Sequence, residues 1–430
     1  MLIDFTVGNV LSFRDKKTLS LVAASIKEQG EDNLIRTSRM TLLKGAVVYG
    51  ANASGKSNLI RAMSIMRHIV LGSFGTSSTA ELDITPFLLS TETREQPSFF
   101  EVSFLINETR YRYGFELDKV SVKAEWLYEA QKSTERPLFI REKDGIEVMK
   151  RFAEGKDLEE KTRDNALFLS VVDQFNGLTA KKIMRWFRQF IAISGLSHED
   201  YKAITFNLLE QKSSRQDMLA FYRNLDLGFD DLALKKLPFD SKDLPANLPE
   251  ALFKQIVSDV EGALKLDIRT SHNVYDKDNK IRERVDFDLR SQESSGTNKI
   301  FNISGPVFET LQKGAVLVID ELDASLHPLL TLAITRLFNS ANHNVNNAQL
   351  IFTTHDTNLL HYGNYRRDQI YFMEKDPAGG SDLYSLVEYK EEGKTVRKDR
   401  SFEKDYIGGR YGAIPFIGNV SNLVPGWREK

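Results

Sequence analysis

The sequence predicts an α/β fold with an antiparallel β subdomain and a helical insertion. Three observations predict it. Short, continuously apolar runs, "GAVVY" at 45–49, "AVLVID" at 315–320 and "QLIFTT" at 349–354, have the length and composition of buried strands. A helical period follows the first of them over 56–70, through Leu59, Ile60, Met63, Met66, Ile69 and Val70. Between about 99 and 141 the segments "FFEVSFLI", "RYRYGFEL", "AEWLYEA" and "PLFIRE" alternate around polar turns such as Asn107-Glu108, as antiparallel strands do. Strands and helices of one α/β unit thus lie at both ends of the chain, with a long insertion between them.

In chain order, "MLIDFTV" and "KTLSLV" read as short strands by their β-branched and apolar content. The region 142–265 reads as mainly helical. Its "KKIMRWFRQFI" puts Ile183, Trp186, Phe187 and Phe190 on one face, and 249–264 is a second amphipathic helix opened by Pro249 and Glu250. The Pro-rich "LPFDSKDLPANLP" connects them. Residues 266–291 read as two strands around the turn "DKDN"; a helix follows "AVLVID", and "QIYFME" and "LYSLVE" are further strands. The expected units are 1–140 (first half of the α/β unit with the β subdomain), 142–265 (insertion), 266–390 (second half of the α/β unit) and 391–430 (tail).

Composition narrows the function. With 430 residues, 41% hydrophobic and 27% charged, the chain has an ordinary globular balance and room for two or three domains. A formal charge of −2 provides no global basic field for nucleic acid or acidic lipid, although a local basic patch is compatible with it. The absence of cysteine excludes disulfides, thiolate zinc sites and thiol catalysis, and it fits a cytoplasmic protein. The start "MLIDFTVGNVLSFRDKK" lacks the charge-then-apolar pattern of a signal peptide, and no apolar run reaches the length of a membrane span. The seven histidines are scattered without ligand spacing.

One constellation carries chemistry. "GANASGKS", 50–57, fits G-x-x-x-x-G-K-[ST] between an apolar strand and a helix, the context that a phosphate-binding loop requires. Gly50, Asn52, Ala53, Ser54 and Gly55 would curl the backbone so that its N–H groups converge on phosphate oxygens, at a helix N-terminus that adds positive potential. Lys56 would neutralise β/γ charge and Ser57 would ligate Mg²⁺, with Asn58 beside them; ATP and Mg²⁺ are the expected ligands. "AVLVIDE" ends in two carboxylates: Asp320 is the second expected holder of the Mg²⁺ shell, and Glu321 the group that polarises the attacking water. "IFTTHD", 351–356, ends a third apolar strand at His355, within reach of a γ-phosphate.

Taken in order, these motifs resemble ATPases of the ABC and SMC type, in which two heads sandwich ATP. "ESSGT", 293–297, resembles their signature turn, usually L-S-G-G-Q/E. Ser294 and Gly296 stand in the positions of the family's Ser and second Gly, while Glu293 replaces the Leu and Ser295 the first Gly. The resemblance implies that Ser294, Ser295 and Gly296 contact ATP held by a second protomer, through a turn whose small residues allow close approach. "LDASLHP", 322–328, occupies the place of the D-loop. Together with the terminal "YIGGRYGAIP", 406–415, the set resembles the RloA/AbiLi-type ATPases of bacterial defence systems. That likeness implies a head-to-head dimer or higher homo-oligomer, a separately encoded effector such as a nuclease, and a phage-derived trigger protein. A DNA-repair or chromosome-maintenance ATPase is the first alternative, although no long heptad run supplies an SMC coiled coil. A nucleotide-dependent assembly scaffold is the second.

Other motifs are weaker. "RAMSIMRH", 61–68, spells Arg-x6-His, but on the helix that the phosphate loop already uses. "KKIMRWFRQF" mixes basic and aromatic residues in a pattern that separates into a core face and a solvated face. "YIGGRYGAIP" is Gly-rich without a helix to follow it, which favours a structured tail or a partner contact over a phosphate cradle.

Overall fold

The computed structural model describes residues 1–26, 28, 31–75, 77–131, 134–197, 201–238, 264–361, 364–391, 394–397 and 400–414. Contacts divide the chain into two compact units. The first comprises Met1–Leu196, Glu309–Ala324 and Thr331–Lys430; the second comprises Ser197–Phe308 and Ser325–Leu330.

A six-stranded sheet forms the centre of the first unit, in the order Phe190–Ser194, Val316–Asp320, Gln349–Thr353, Gly45–Gly50, Ile370–Lys375 and Ser381–Ser385. All its pairings are parallel except the last. The apolar runs are explained by this placement: a parallel sheet is covered on both faces, so its strands carry no polar alternation. Every residue of Gly45–Gly50 and of Gln349–Thr353 is buried. The helix Lys56–Gly72 covers one face through Leu59, Ile60, Ala62, Met63, Met66, Ile69 and Val70.

A seven-stranded antiparallel sheet packs into the same core, in the order 145–148, 136–142, 122–130, 109–117, 98–106, 2–8 and 17–20. Its alternation was legible because one face is buried and the other faces solvent. The two sheets are joined by the buried Gln349. Its Oε1 accepts the Leu2 N–H (2.6 Å), and its amide nitrogen donates to the carbonyls of Leu2 and Leu43 (3.0 Å each). Glu125, fully buried in the antiparallel sheet, accepts the N–H groups of Phe168 (2.6 Å) and Leu169 (3.0 Å) and the Tyr113 hydroxyl (2.9 Å). It thereby satisfies the open N-terminus of the helix Phe168–Gln174.

The expected insertion boundary moves. The helices Phe168–Gln174 and Leu178–Arg188 and the strand Phe190–Ser194 fall within 142–265 yet belong to the first unit. The reason lies in the apolar face read from "KKIMRWFRQFI". Trp186 stacks on Phe104 of the antiparallel sheet (4.1 Å between centroids, 14° between planes), and Phe190 opens the strand that pairs with Val316–Asp320. The second unit contains the helices Lys202–Glu210 and Lys212–Asn224 and a three-stranded antiparallel sheet, Asp231–Pro238, Leu264–Tyr275 and Ile281–Asp288. The last two are the hairpin expected around "DKDN". The first, expected to be helical, pairs along its whole length with Leu264–Tyr275, and this draws the signature-bearing segment into the second unit rather than into a 266–390 head. The helix expected over 249–264 lies almost wholly outside the described residues, as does most of the Pro-rich connection before it.

Candidate nucleotide site

Three strands of the central sheet end at one place in the first unit. Gly45–Gly50 delivers the glycine loop, and two positions there admit only glycine. A Cβ on Gly50 would stand 2.4 Å from the Met373 carbonyl oxygen and 2.5 Å from Ser54 Oγ. Gly55 has φ +110°, and a Cβ on it would stand 2.2 Å from Ser381 Oγ and 2.8 Å from Ser12 Oγ. Ala53 also takes a left-handed conformation, φ 63°. The loop is braced from outside by two serines that the motif does not contain. Ser381 Oγ donates to the Ser54 carbonyl (2.7 Å) and accepts from Ser12 Oγ (2.8 Å), and Asn58 Nδ2 donates to Ser12 Oγ (2.9 Å).

Lys56 is 5% exposed, and its ammonium donates to the carbonyls of Gly50 (2.8 Å) and Ala51 (3.0 Å). Burial pushes its pKa down, while the negative field of Glu321, Asp320 and Asp323 opposes the shift. The lysine and the carboxylates therefore share one electrostatic environment. Ser57, Asn52 and Ala53 are exposed, whereas Ser54 is buried and its Oγ finds no hydrogen-bond partner among the described residues.

Val316–Asp320 delivers the acidic pair. Thr353, at the end of the neighbouring strand, organises both members: its hydroxyl donates to Asp320 Oδ1 (2.6 Å) and accepts the Glu321 N–H (2.7 Å). Glu321 itself adopts φ 51°, a left-handed turn that breaks the strand immediately after Asp320. His355 is exposed at the next strand end, and its backbone N–H donates to Asp323 Oδ2 (3.2 Å). The other oxygen of Asp323 is buried without a partner.

The sequence-derived residues Gly50–Asn58, Asp320, Glu321 and His355 all belong to this unit. Thr353, Ser12, Ser381 and Asp323 were missed. Thr353 was within the quoted "IFTTHD", and a threonine just before a strand-end histidine was the available signal. Ser12 and Ser381 had none, because they meet the loop only through the fold.

The residues fit a nucleotide with its metal. A curled loop that excludes side chains, a lysine held by loop carbonyls, and a buried serine hydroxyl with no hydrogen-bond partner among the described residues suit an anion. Ser57 and Asp320 are oxygen donors of the type Mg²⁺ takes, with phosphate oxygens supplying the rest.

The signature-like turn is in the second unit. Ser294 precedes the helix Ser295–Lys313 and caps it: its Oγ accepts the Thr297 N–H at 3.0 Å. Ser294 and Ser295 are exposed, and a Cβ on Gly296 would stand 3.0 Å from the Ser325 carbonyl oxygen of "LDASLHP". Glu293, in place of the usual Leu, is turned inward, where Oε1 meets His272 Nε2 at 2.7 Å and the Thr270 hydroxyl. Of the weaker motifs, Arg61 and His68 are both exposed on the Lys56–Gly72 helix, and Trp186, Phe187 and Phe190 are core residues.

No helix among the described residues is long and apolar enough to cross a membrane. No curated protein matches the chain in sequence. Among solved structures, the SMC head domain from Thermotoga maritima is similar over 89% of this chain and 98% of that chain, with 15% identity and a TM-score of 0.40. A family described as "AAA domain, putative AbiEii toxin, Type IV TA system" matches residues 46–361, a span that contains the glycine loop, both carboxylates and His355. With that span matched, and with the loop and acidic strand placed as they are, the chain belongs to this AAA domain family of P-loop proteins.

Proposed function

We propose that the protein is a Mg²⁺-dependent ATPase that serves as the sensor or switch subunit of a bacterial anti-phage defence system. The observation that carries the catalytic part is the meeting of Lys56 with Asp320 and Glu321 in one field, with Thr353 bonded to the Asp320 carboxylate and to the Glu321 backbone N–H. Lys56 would exchange its two loop carbonyls for β/γ-phosphate oxygens, and Ser57 and Asp320 would hold the metal. Magnesium, when bound, screens the charge of the phosphates. Glu321 orients the attacking water, and His355 reaches the γ-phosphate. The exposed turn at Ser294, Ser295 and Gly296 completes the site from a second protomer, so hydrolysis belongs to a head-to-head dimer. The family's description, with its "putative AbiEii toxin, Type IV TA system", supports a defence role. On this reading a separately encoded effector is under the control of the ATPase.

The test has two arms. Purified protein should release phosphate from ATP with magnesium and stop in EDTA. Glu321→Gln, which keeps the shape and removes the charge, should bind ATP and fail to hydrolyse it. Cells expressing the chain with its neighbouring gene should resist phage, and Lys56→Ala should abolish that resistance. Hydrolysis without protection, stimulated strongly by DNA, would replace the defence reading with a DNA-maintenance one. Wild-type turnover from Glu321→Gln would overturn the catalytic assignment.

A further inference from the structure

The hydroxyl of Tyr49 connects two of the strand ends that meet at the candidate nucleotide site. Tyr49 stands in the strand Gly45–Gly50, one residue before the glycine loop, and is fully buried. Its ring packs near Phe372 (6.3 Å between centroids) and Tyr406 (5.5 Å). The Gly-rich "YIGGRYGA" near the C-terminus is therefore a structured part of this core, with Tyr406, Tyr411 and Ala413 all buried. The Tyr49 hydroxyl donates to the Asp356 carbonyl at 3.0 Å. Burial pushes its pKa well above the ordinary tyrosine value, so the hydroxyl keeps its proton and remains a donor.

Asp356 follows His355, and the turn that carries both is held through its backbone. The His355 N–H donates to Asp323 Oδ2 (3.2 Å) and the Asp356 N–H to Thr354 Oγ1 (2.9 Å). Asp356 then caps the short 3-10 turn Thr357–Leu360 by accepting the Asn358 N–H (3.0 Å). Two bonds tie this frame to the strand that delivers the glycine loop. Before His355, the Thr354 N–H donates to the Val48 carbonyl (3.2 Å); after it, Tyr49 donates to Asp356. His355 itself is exposed, so its place is set by this peptide frame and not by packing around the ring.

We propose that Tyr49 is a positioning residue for the nucleotide site, which fixes the turn after His355 so that the imidazole keeps a constant place relative to the glycine loop. The proposal rests on the assignment of His355 to the γ-phosphate made above. It predicts an effect on turnover and little on nucleotide affinity, because the glycine loop and Lys56 supply most of the binding while His355 acts at the phosphate that leaves. The tyrosine acts only through Asp356 and His355, so its removal should cost nothing once His355 is gone.

The test compares Tyr49→Phe with Tyr371→Phe, each also measured beside His355→Ala. Tyr49→Phe keeps the ring and removes the hydroxyl that meets Asp356. Tyr371→Phe removes an equally buried hydroxyl from the neighbouring strand, where it donates to the Ser20 carbonyl (2.8 Å). Phosphate release is followed under steady-state and single-turnover conditions, the second of which reads slow variants, and binding is read with a fluorescent ATP analogue. Loss of one neutral hydrogen bond should lower kcat of Tyr49→Phe about three- to tenfold with affinity nearly unchanged, while Tyr371→Phe turns over as wild type. Adding Tyr49→Phe to His355→Ala should lower the rate no further. Wild-type kcat in Tyr49→Phe overturns the proposal. An equal fall in Tyr371→Phe overturns it too, because general loosening of the sheet would then suffice, and so does a full additional loss in the His355→Ala background. Wild-type turnover in His355→Ala would instead remove the role of His355, and an inactive wild-type protein the ATPase reading, so these failures are distinguishable.

Discussion

Thr353 donates a hydrogen bond of 2.6 Å to the Asp320 carboxylate. The same hydroxyl accepts the Glu321 N–H, so one oxygen sets the orientation of the Asp320 carboxylate and the left-handed turn that presents its neighbour. Thr353→Val keeps the shape and removes both bonds. Hydrogen bonds to charged groups contribute about 1.5–3 kcal/mol, so turnover should fall about tenfold or more. Thr353→Ser, which retains the hydroxyl, should recover most of it. Steady-state phosphate release measures both, and an unimpaired Thr353→Val would remove this role.

On the proposed reading Lys56 serves a ligand and not the core. Its ammonium is satisfied by two carbonyls of its own loop, and among the described residues no other side chain depends on it for a hydrogen bond. Lys56→Ala should therefore lose ATP binding while its circular dichroism spectrum and cooperative melt remain those of a folded protein. Retained wild-type affinity, measured by calorimetry, would mean that "GANASGKS" is not the phosphate cradle.

The buried Glu125 makes stability depend on pH. Burial raises its pKa above the ordinary glutamate value, against the opposing pull of Arg141 and its hydrogen-bond donors. The folded protein then binds a proton more tightly than the unfolded chain. This contribution is fully present below the unfolded pKa of about 4.3 and is lost as pH rises through the folded value. Glu125→Gln abolishes the titration but turns an amide nitrogen toward a donor, so it should cost about 1–3 kcal/mol. The difference in Tm between wild type and Glu125→Gln should change with pH just above the unfolded pKa. A constant difference there would show that Glu125 does not titrate as described.

Local chemistry was what the sequence expressed most clearly. Gly45–Gly50, Val316–Asp320 and Gln349–Thr353 were legible because a parallel sheet demands continuous apolar runs, and the loop between 50 and 57 because phosphate binding fixes residue types at fixed spacing. Partners distant in sequence were not legible. Ser12 and Ser381 reach the same loop from residues 369 positions apart. Phe190–Ser194 was absorbed into a helical reading because five residues after an amphipathic helix carry too little pattern to declare a strand. Asp231–Pro238 was hidden in a similar way, since half of its residues are solvent-exposed and its partner strand begins far along the chain.

The shared site makes the most demanding prediction. Ser294 caps its helix through the Thr297 N–H, so replacement by a residue that cannot cap costs about 1 kcal/mol of local stability. Ser294→Ala controls for that loss, because it removes the cap without adding bulk. If the turn meets ATP only across a dimer, Ser294→Arg should bind ATP through its own glycine loop and fail to hydrolyse it, while Ser294→Ala keeps measurable turnover. Mixing then separates a shared site from a private one. When Lys56→Ala protomers pair with Ser294→Arg protomers, one composite site carries both defects and the other carries neither. Two inactive parents should thus regain hydrolysis on subunit exchange, less if both sites must fire together. Exchange is checked by differential labelling. A verified mixture that stays inactive would leave the shared site unsupported, and normal hydrolysis by Ser294→Arg alone would reduce "ESSGT" to a capped surface turn.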